Sequence, residues 1–350
     1  MLVFARLSFA RTYLAPPEIL PPVSVIVCAK NEAENLSINL KIILFQQYKQ
    51  FEVIVVNDQS EDNSVDILVE FYKRNENLKI VNIAPDEEKK LPGKKYALMK
   101  GLEVASYETI VVTDADCRPA TTRWLAKLVG TYMHGTQLVL GYAPYEKRKG
   151  FLNLLIRYEN FMTALQYFGF AKAGLPYMGV GRNLSYKKSL FTSFKGFEKG
   201  KQILSGDDDL FVNAVATGKN TEICMDKDAF TYSAPETTLS NWLQQKKRHV
   251  RSGFYYKFYH QMLLFLFAAS LFIFYISFIV LILSKTMPII VLGIFSGVLV
   301  LKALLTFRVF GKFQSDDLRL ISPLLDVLYA GYLVLIFFLL LLQPKDNWKT

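Results

Sequence analysis

The sequence predicts an α/β protein built on a doubly wound, mainly parallel sheet, with transmembrane helices after it. Short apolar strands alternate with helical patterns through most of the chain, and successive strands run into acidic side chains. Three C-terminal stretches carry no charged side chain: 261–283, 287–301 and 327–343. We therefore expect an N-terminal tail at 1–21, an α/β domain at 22–252 and a membrane domain at 253–350.

The composition narrows the classes of partner. The chain has 350 residues and a net charge of +10, much of it beside the apolar stretches. Attraction to anionic lipid explains this placement better than a nucleic-acid partner does, so none is expected. The three cysteines and three histidines lack metal-ligand spacing, which argues against a disulfide framework and a zinc site.

The first part of the chain contains the tail and the first predicted strand. Arg6 and Arg11 interrupt the short apolar pieces of the tail, which is either a membrane-surface segment or a disordered one. Val23 to Ala29 is an apolar run typical of a buried parallel strand, and it ends in Asn31 and Glu32. A helix is expected over 33–47.

The second strand, 52–56, again ends in polar residues. Asp62 has a simple explanation as a cap of the helix predicted over 64–74. Asp58 lies at the strand end itself and is harder to explain by capping. A third strand over 78–83 leads to Gly93 and Lys94, where a helix start can meet an anion, although a solvated charge run is the plain alternative.

The fourth strand carries the clearest chemical signal. Its β-branched run from Thr109 to Thr113 ends in Asp114 and Asp116. Ligands of open α/β sheets bind beyond the carboxyl ends of the strands, and two carboxylates at this spacing suit Mg²⁺ or Mn²⁺ with a diphosphate. Taken alone, the pattern is equally compatible with an ordinary loop and a helix cap.

The remaining part of the domain contains two further features. A helix over 121–132 and a strand over 137–142 precede an aromatic helix over 151–170, which packs either on the membrane or in the core. Gly179 and Gly181 allow close backbone approach to a ligand or simply a tight bend. Asp207, Asp208 and Asp209 are more acids than a helix N-terminus requires, so one of them is a candidate general base.

Taken together, these motifs resemble the inverting family-2 glycosyltransferases, whose nucleotide-binding fold is called GT-A. The resemblance covers residues 22 to 252 and depends on six matches in the family's order. They are Ala29-Lys30-Asn31-Glu32, Asn57-Asp58-Gln59-Ser60, Gly93-Lys94, Asp114-Ala115-Asp116, Gly206-Asp207-Asp208 and Gln245-Lys246-Lys247-Arg248.

The resemblance implies a role for each matched position. Asp58 would bind the nucleobase, with Ala29, Asn31 and Glu32 near the base and ribose and Lys94 near the nucleotide. Asp114 would face the ribose or donor sugar, and Asp116 would bind the metal. Asp208 would be the catalytic base, with Asp207 as the alternative, and Arg248 would stabilise the leaving diphosphate beside Gln245.

The implied reaction uses a nucleotide-diphosphate sugar, in the first place a UDP-sugar, with Mg²⁺ or Mn²⁺ as cofactor. The acceptor would be lipid-linked or a glycan. His249 replaces the tryptophan that follows this arginine in processive synthases, which argues against chain extension. A third acid, Asp209, leaves the base open between Asp207 and Asp208.

The apolar stretches predict three membrane spans. Two basic groups flank them on one side if the turn at 284–286 lies on the other, which places the α/β domain in the cytoplasm of a multi-pass protein of the inner or plasma membrane. A processive synthase and a transport protein with a nucleotide-binding domain are the competing hypotheses. The basic groups are Lys246, Lys247, Arg248, Arg251 and Lys257, and Arg308, Lys312 and Arg319.

Overall fold

The computed structural model describes residues 2–10, 19–84, 86–194 and 206–341. They form an α/β domain and a bundle of long C-terminal helices. The nine strands in this part of the chain are β1 (Val23–Ala29), β2 (Phe51–Asp58), β3 (Leu78–Ile83), β4 (Thr109–Asp114), β5 (Cys117–Pro119), β6 (Leu138–Leu140), β7 (Leu184–Lys187), β8 (Thr221–Ile223) and β9 (Thr231–Ser233).

The α-helices alternate with the strands and then follow them. The described residues contain α1 (Leu2–Phe9), α2 (Ala33–Leu44), α3 (Ser64–Tyr72), α4 (Lys94–Val104), α5 (Trp124–Val129), α6 (Phe151–Lys172), α7 (Lys188–Ser193), α8 (Asp209–Val215), α9 (Leu239–Ser252), α10 (Phe258–Leu283), α11 (Pro288–Lys312) and α12 (Ser322–Leu341).

The main sheet has seven strands in the order β3-β2-β1-β4-β7-β6-β8. Strands β3, β2, β1 and β4 are parallel, whereas β7 is antiparallel to both of its neighbours. Strands β5 and β9 form a separate antiparallel pair. The predicted doubly wound, mainly parallel sheet is therefore confirmed, with one reversed strand, β7, in its interior.

The strands are buried on both faces because helices cover the sheet on both sides. Successive side chains point to opposite faces, so Ile26 and Ile54 join one apolar cluster while Val25 and Val53 join the other. Gly101 allows α4 to lie close to the sheet, since a Cβ atom there would be 2.6 Å from Cγ2 of Ile26.

Three helices, α10, α11 and α12, are long and apolar enough to cross a membrane, which supports membrane association. The second is longer than the charge-free stretch predicted, because it continues through Lys302, Arg308 and Lys312. The third begins at Ser322 and includes Asp326, and the end of the predicted stretch lies outside the described residues. The charge-free stretches predicted where each span lies, but they did not predict where its helix begins and ends.

The two ambiguous segments pack into the structure. Helix α6 buries Phe161 and Phe168 in the core, and α1 lies against α6 and α11. Lys312 Nζ donates hydrogen bonds to the carbonyl oxygens of Leu7 (2.8 Å) and Ala10 (2.6 Å) at the end of α1. Within the described residues of the tail, 2–10 and 19–21, the N-terminal part is thus a docked helix.

Candidate active site

The carboxyl ends of the parallel strands bring the predicted polar residues to one edge of the sheet. In the register of the strands, Cys28 of β1 lies opposite Asp114 of β4, and Ala29 lies opposite Asn57 of β2. Asp58 ends β2 one residue later. We call this region the acidic edge and define it by Asp58, Asp114, Asp116, Asp207 and Asp208.

Lys94 links two of these acids. It begins α4 directly after Gly93, whose φ of 61° suits glycine. Its Nζ pairs with the Asp114 carboxylate and lies 3.6 Å from Oδ2 of Asp207. Burial alone would lower the pKa of Lys94, but the charges of Asp114 and Asp207 outweigh it and raise that pKa well above its usual range. The side chain is therefore a fixed positive charge at the site.

Asp116 belongs to a group of three side chains at this edge that could hold a metal ion. Ligand atoms of Asp114, Asp116 and Cys117 lie within 4.8 Å of one another. Burial and the charge of Asp116 raise the pKa of the Cys117 thiol, which donates a hydrogen bond to Asp116 Oδ1 at 3.2 Å. Because only a thiolate is a good metal ligand, the donor set reduces to carboxylate oxygens, which suit Mg²⁺ or Mn²⁺.

Asn31 and Glu32 have different roles in the loop after β1. Asn31 has a φ of 56°, its backbone N–H donates to Ser60 Oγ at 2.9 Å, and its Oδ1 accepts from the Glu61 N–H at 2.8 Å. It therefore braces two loops against each other. Burial, with smaller contributions from Asp116 and Asp114, raises the pKa of Glu32, which places its carboxyl group near the acidic edge.

Asp58 is buried and forms an ion pair with Lys89 at 2.7 Å. Lys89 belongs to the connection between β3 and α4, so this cation comes from a neighbouring loop. Asp62 bonds to two helix starts: its Oδ1 accepts from the Ser64 N–H at 3.0 Å at the start of α3, and its Oδ2 accepts from the Ala33 N–H at 3.0 Å at the start of α2. The capping prediction for Asp62 is confirmed.

The adjacent acids Asp207, Asp208 and Asp209 differ in their hydrogen-bond partners. Asp209 is buried, and its Oδ2 accepts hydrogen bonds from Ser252 and from Tyr256 at 2.7 Å. Its Oδ1 accepts from the Leu210 N–H at 2.7 Å. Both oxygens of Asp209 are thus held by groups of the fold, which gives this residue a structural role.

Asp208 caps α8 and remains half-buried. Its Oδ1 accepts from the Asp209 N–H at 2.8 Å, and its Oδ2 accepts from the Gly181 N–H. Burial together with the charges of Asp207 and Asp209 raises the pKa of Asp208 to about 8. A carboxyl group with such a pKa is suited to take up a proton near neutral pH.

Gly181 has an unexpected partner. The glycine pattern predicts close backbone approach either to a ligand or in a bend, and the structure shows the approach to be to a catalytic candidate. A Cβ atom at Gly181 would lie 3.2 Å from Oδ2 of Asp208. Any larger residue would push the Asp208 carboxylate away from this N–H.

Helix α9 reaches the same region. The hydroxyl of Tyr145 donates to Oε1 of Gln245 at 3.4 Å, and Lys246 forms a buried ion pair with Glu159 at 2.5 Å. Arg248 and His249 are both exposed. Gln245 thus contacts Tyr145, and Arg248 lies on the accessible side of α9.

Sequence reasoning missed Arg182. Its guanidinium stacks over the Tyr145 ring at 4.4 Å, donates to Ser233 at 2.6 Å, and lies close enough to Asp116 to help hold down the pKa of that carboxyl. Burial, followed by the Asp114 charge, is what raises the pKa of Asp116 overall. The one available signal was an arginine directly after Gly181, in the stretch that begins with Gly179.

Two family models match the chain. Glycosyl transferase family 2 matches residues 24–192, and Glycosyl transferase family group 2 matches residues 109–341, about two thirds of the chain. Together the matches include every residue of the acidic edge.

Individual relatives are matched over only part of their own length. The poly-β-1,6-N-acetyl-D-glucosamine synthase of Staphylococcus epidermidis is 35% identical over 94 residues, 27% of this chain and 21% of its own length. The probable glycosyltransferase YdaM of Bacillus subtilis is 28% identical over 256 residues, 67% of this chain and 56% of its own. The chain thus matches about a fifth of one relative and just over half of the other.

The fold is shared with a solved structure, the mannosyltransferase PcManGT from Pyrobaculum calidifontis in complex with GDP-Man and Mn²⁺. The TM-score is 0.56 at 22% identity, over 72% of this chain and 70% of that one. The shared architecture is the GT-A fold expected from the sequence. From the matching family model and the acidic edge, we conclude that this chain belongs to the family 2 glycosyltransferases.

Proposed function

We propose that the protein is a membrane-anchored inverting glycosyltransferase that moves a sugar from a nucleotide-diphosphate sugar to a hydroxyl of a lipid-linked or membrane-associated acceptor. The observation that carries this proposal is the acidic edge. It combines a buried Asp58, a carboxylate pair at Asp114 and Asp116, and a half-buried Asp208 whose pKa is about 8. Each is a group that transfer from a nucleotide donor requires.

The donor would lie along the ends of β1, β2 and β4. Asp58 would accept hydrogen bonds from the base, with Ala29 and Glu32 beside the base and ribose. Asp114 would face the ribose or sugar, and Lys94 would bring a positive charge to the nucleotide. Asn31 would act by holding the loop that carries Glu32.

Asp116 would bind Mg²⁺ or Mn²⁺, with Asp114 alongside it. When bound, such an ion neutralises the charge of a diphosphate. Mn²⁺ in the PcManGT complex supports the use of a divalent ion. Arg248, exposed on α9, would approach the same diphosphate and stabilise it as a leaving group.

The transfer step itself needs only one proton acceptor. The acceptor oxygen attacks the anomeric carbon of the donor sugar as its hydroxyl proton moves to Asp208. The bond from the anomeric carbon to the phosphate oxygen breaks, and the nucleoside diphosphate leaves with that electron pair. Because attack and departure occur on opposite faces, the anomeric configuration inverts. The raised pKa of Asp208 favours uptake of the proton.

The membrane arrangement would place this chemistry in the cytoplasm. The basic residues before α10, at the C-terminal end of α11 and in the connection to α12 lie at the same ends of the helices as the α/β domain, which supports this orientation. A multi-pass protein of the inner or plasma membrane would then draw its donor from the cytosol.

A processive synthase is the second candidate function. The similarity to a poly-N-acetylglucosamine synthase supports it over the matched 94 residues. His249, at the position where the processive family has tryptophan, opposes it. Product length in a transfer assay separates the two: a single addition supports the first function, and a ladder supports the second.

A donor-hydrolysis screen tests the proposal. The purified chain in detergent would be incubated with UDP-, GDP- and dTDP-sugars and either Mg²⁺ or Mn²⁺, and release of the nucleoside diphosphate would be measured. We expect release from one nucleotide class that stops when EDTA is added. Absence of release from every donor would contradict the proposed function.

A labelling experiment tests the orientation. A cysteine at Thr286, in the turn between α10 and α11, should react with an impermeant thiol reagent on intact cells, whereas one at Gln314, between α11 and α12, should not. Labelling at Gln314 from outside would contradict a cytoplasmic site. A third position expected to react from outside, near Trp348, lies outside the described residues.

A further inference from the structure

A polar cavity of about 420 Å³ lies where the α/β domain meets the connection between α11 and α12. Its volume falls within the range of roughly 300–1,000 Å³ that is usual for small-molecule sites. The α/β domain contributes Tyr145, Asn160 and Tyr232 to its wall, and the connection contributes Gln314 and Asp317. The cavity is therefore closed on one side by a segment between two membrane spans.

The cavity adjoins the acidic edge through Arg182. This guanidinium stacks over the ring of Tyr145 at 4.4 Å and donates to Oδ1 of Asn160 at 3.2 Å. Its chain neighbour Gly181 donates its backbone N–H to Oδ2 of Asp208, and the Arg182 carbonyl oxygen accepts from Oγ1 of Thr113, the residue before Asp114, at 2.9 Å. Because Arg182 lies between the two places, a molecule in the cavity would lie next to a donor at the acidic edge.

The lining favours an uncharged molecule with many hydroxyl groups. The two cations of the wall, Arg157 and Lys147, both bind Asp317, at 2.7 and 3.0 Å. Their charge is thereby committed within the wall, which makes the cavity a poor site for a phosphate. Aromatic faces and the exposed amide of Gln314 remain, and these suit the C–H faces and hydroxyls of a sugar ring.

The connection between α11 and α12, which forms the outer wall of the cavity, contacts the α/β domain at two points. Arg157 of α6 forms a bidentate pair with Asp317, with N–O distances of 2.8 and 2.7 Å. The Tyr232 hydroxyl donates to Oε1 of Gln314. Since α11 and α12 leave this connection directly, the cavity lies beside the spans, where the head of a membrane-embedded molecule can reach it.

We propose that this cavity binds the sugar head of a glycolipid acceptor, with Tyr145 and Tyr232 against the sugar ring and Gln314 bonded to its hydroxyls. The inference rests on the proposed function and adds to it the acceptor class and the surface that selects it. The connection between α11 and α12 becomes a specificity-determining segment.

Binding of simple glycolipid analogues tests this inference without a donor. The full chain would be placed in nanodiscs of zwitterionic phospholipid, and binding of tritiated hexyl β-glucoside, β-galactoside, β-mannoside and β-N-acetylglucosaminide would be measured by equilibrium dialysis. We expect saturable binding of at least one glycoside, and weaker binding of 1-O-hexylglycerol, which has the tail without the ring. Equal or absent binding of all five would overturn the inference.

Two variants locate the site. Tyr232→Leu should weaken glycoside binding roughly tenfold through loss of an aromatic face. Gln314→Gly should weaken it by a smaller factor, and glycine tolerates the φ of 51° at this position. Tyr72→Leu, on the exposed surface of α3, is the matched control and should bind as the natural chain does.

The remaining outcomes are equally informative. Unchanged binding in both cavity variants, or binding lost in Asp114→Asn and kept in Tyr232→Leu, would overturn the inference because the sugar would then lie elsewhere. Donor hydrolysis without any glycoside is measured separately. Its absence alongside normal glycoside binding would refute the proposed function but leave the cavity assignment intact.

Discussion

The carboxylates of the acidic edge and the carboxylate among the membrane helices differ in their partners. At the acidic edge, Asp58 and Asp114 each pair with a lysine from a separate loop or helix start, Lys89 and Lys94. Among the membrane helices, Asp326 pairs with Lys302 and also accepts hydrogen bonds from Tyr158 at 3.0 Å and Tyr275 at 2.7 Å. We call these last four residues the membrane cluster.

The difference in partners distinguishes a binding site from a cluster that holds helices together. The membrane cluster joins α6, α10, α11 and α12 through fixed partners, so its carboxylate is fully occupied by the fold. Such a pair explains how two charged residues are accommodated near the apolar region without a transport pathway. Apart from Asp58, the acids of the edge are only half-buried and so stay accessible to a ligand. The following predictions test that contrast.

The largest effect is expected at Asp208. Asp208→Asn should lower kcat by about 10²–10⁴-fold and leave the donor Kd nearly unchanged, because an amide still accepts hydrogen bonds but takes no proton. Asp209→Asn is the matched control and should be milder, since Asp209 is held by Ser252 and Tyr256. Near-normal transfer by Asp208→Asn would move the base to Asp207.

Asp116→Asn should come next. We expect metal-dependent donor affinity to fall by about 100-fold, because an amide is a weaker ligand for a hard cation, and even loss of an outer-shell partner costs about 10–100-fold. Calorimetric titration of the nucleotide with and without Mn²⁺ measures this. Cys117→Ala should retain the metal dependence, since its thiol is not a ligand here; loss in both variants would contradict the assignment.

A smaller effect is expected at Asp58. Asp58→Ala should raise the donor KM roughly tenfold with kcat at saturation preserved, as base recognition contributes alike to ground and transition states. Lys89→Met tests the loop cation separately and should not raise the donor KM. An unchanged donor KM in Asp58→Ala would remove this residue from the donor site.

The pH dependence sharpens the assignment of the base. Asp208 is protonated and inactive below its raised pKa, so kcat/KM should rise with pH and level off above about 8. Asp207→Asn removes a negative charge that raises this pKa, and the rising limb should therefore move to lower pH. A pH profile that is unchanged in Asp207→Asn would exclude Asp208 as the titrating group.

The membrane cluster should show the smallest effect on catalysis. Asp326→Asn leaves Lys302 without its charge partner, so the thermal midpoint should fall while kcat stays within about twofold. Differential scanning fluorimetry and the transfer assay measure the two. The paired variant Lys302→Met with Asp326→Leu should recover part of the midpoint, since apolar pairs often replace buried ion pairs at little cost. A large loss of kcat would show that the membrane cluster also contributes to catalysis.

Much of the fold was predictable because it depends on local patterns. Strands β1 and β3 occur at the predicted bounds, and β2 and β4 differ by two residues or fewer at either end. Helix ends were less accurate: α2 stops at Leu44, three residues before the predicted end. Burial on both faces leaves a strong apolar signal in a parallel strand, whereas a helix end depends on what it meets.

The sequence by itself determined the sheet, the acids at its strand ends and the three apolar helices, since each follows from short-range spacing. Only the tertiary structure distinguished Asp209 from its two neighbours, because its hydroxyl partners Ser252 and Tyr256 are 43 and 47 residues away. The same holds for Arg182 and for the cavity, whose walls come from β9, α6 and a connection between two spans. Contacts between distant segments leave no local pattern, so the fold alone decides which of several similar side chains stays free to react.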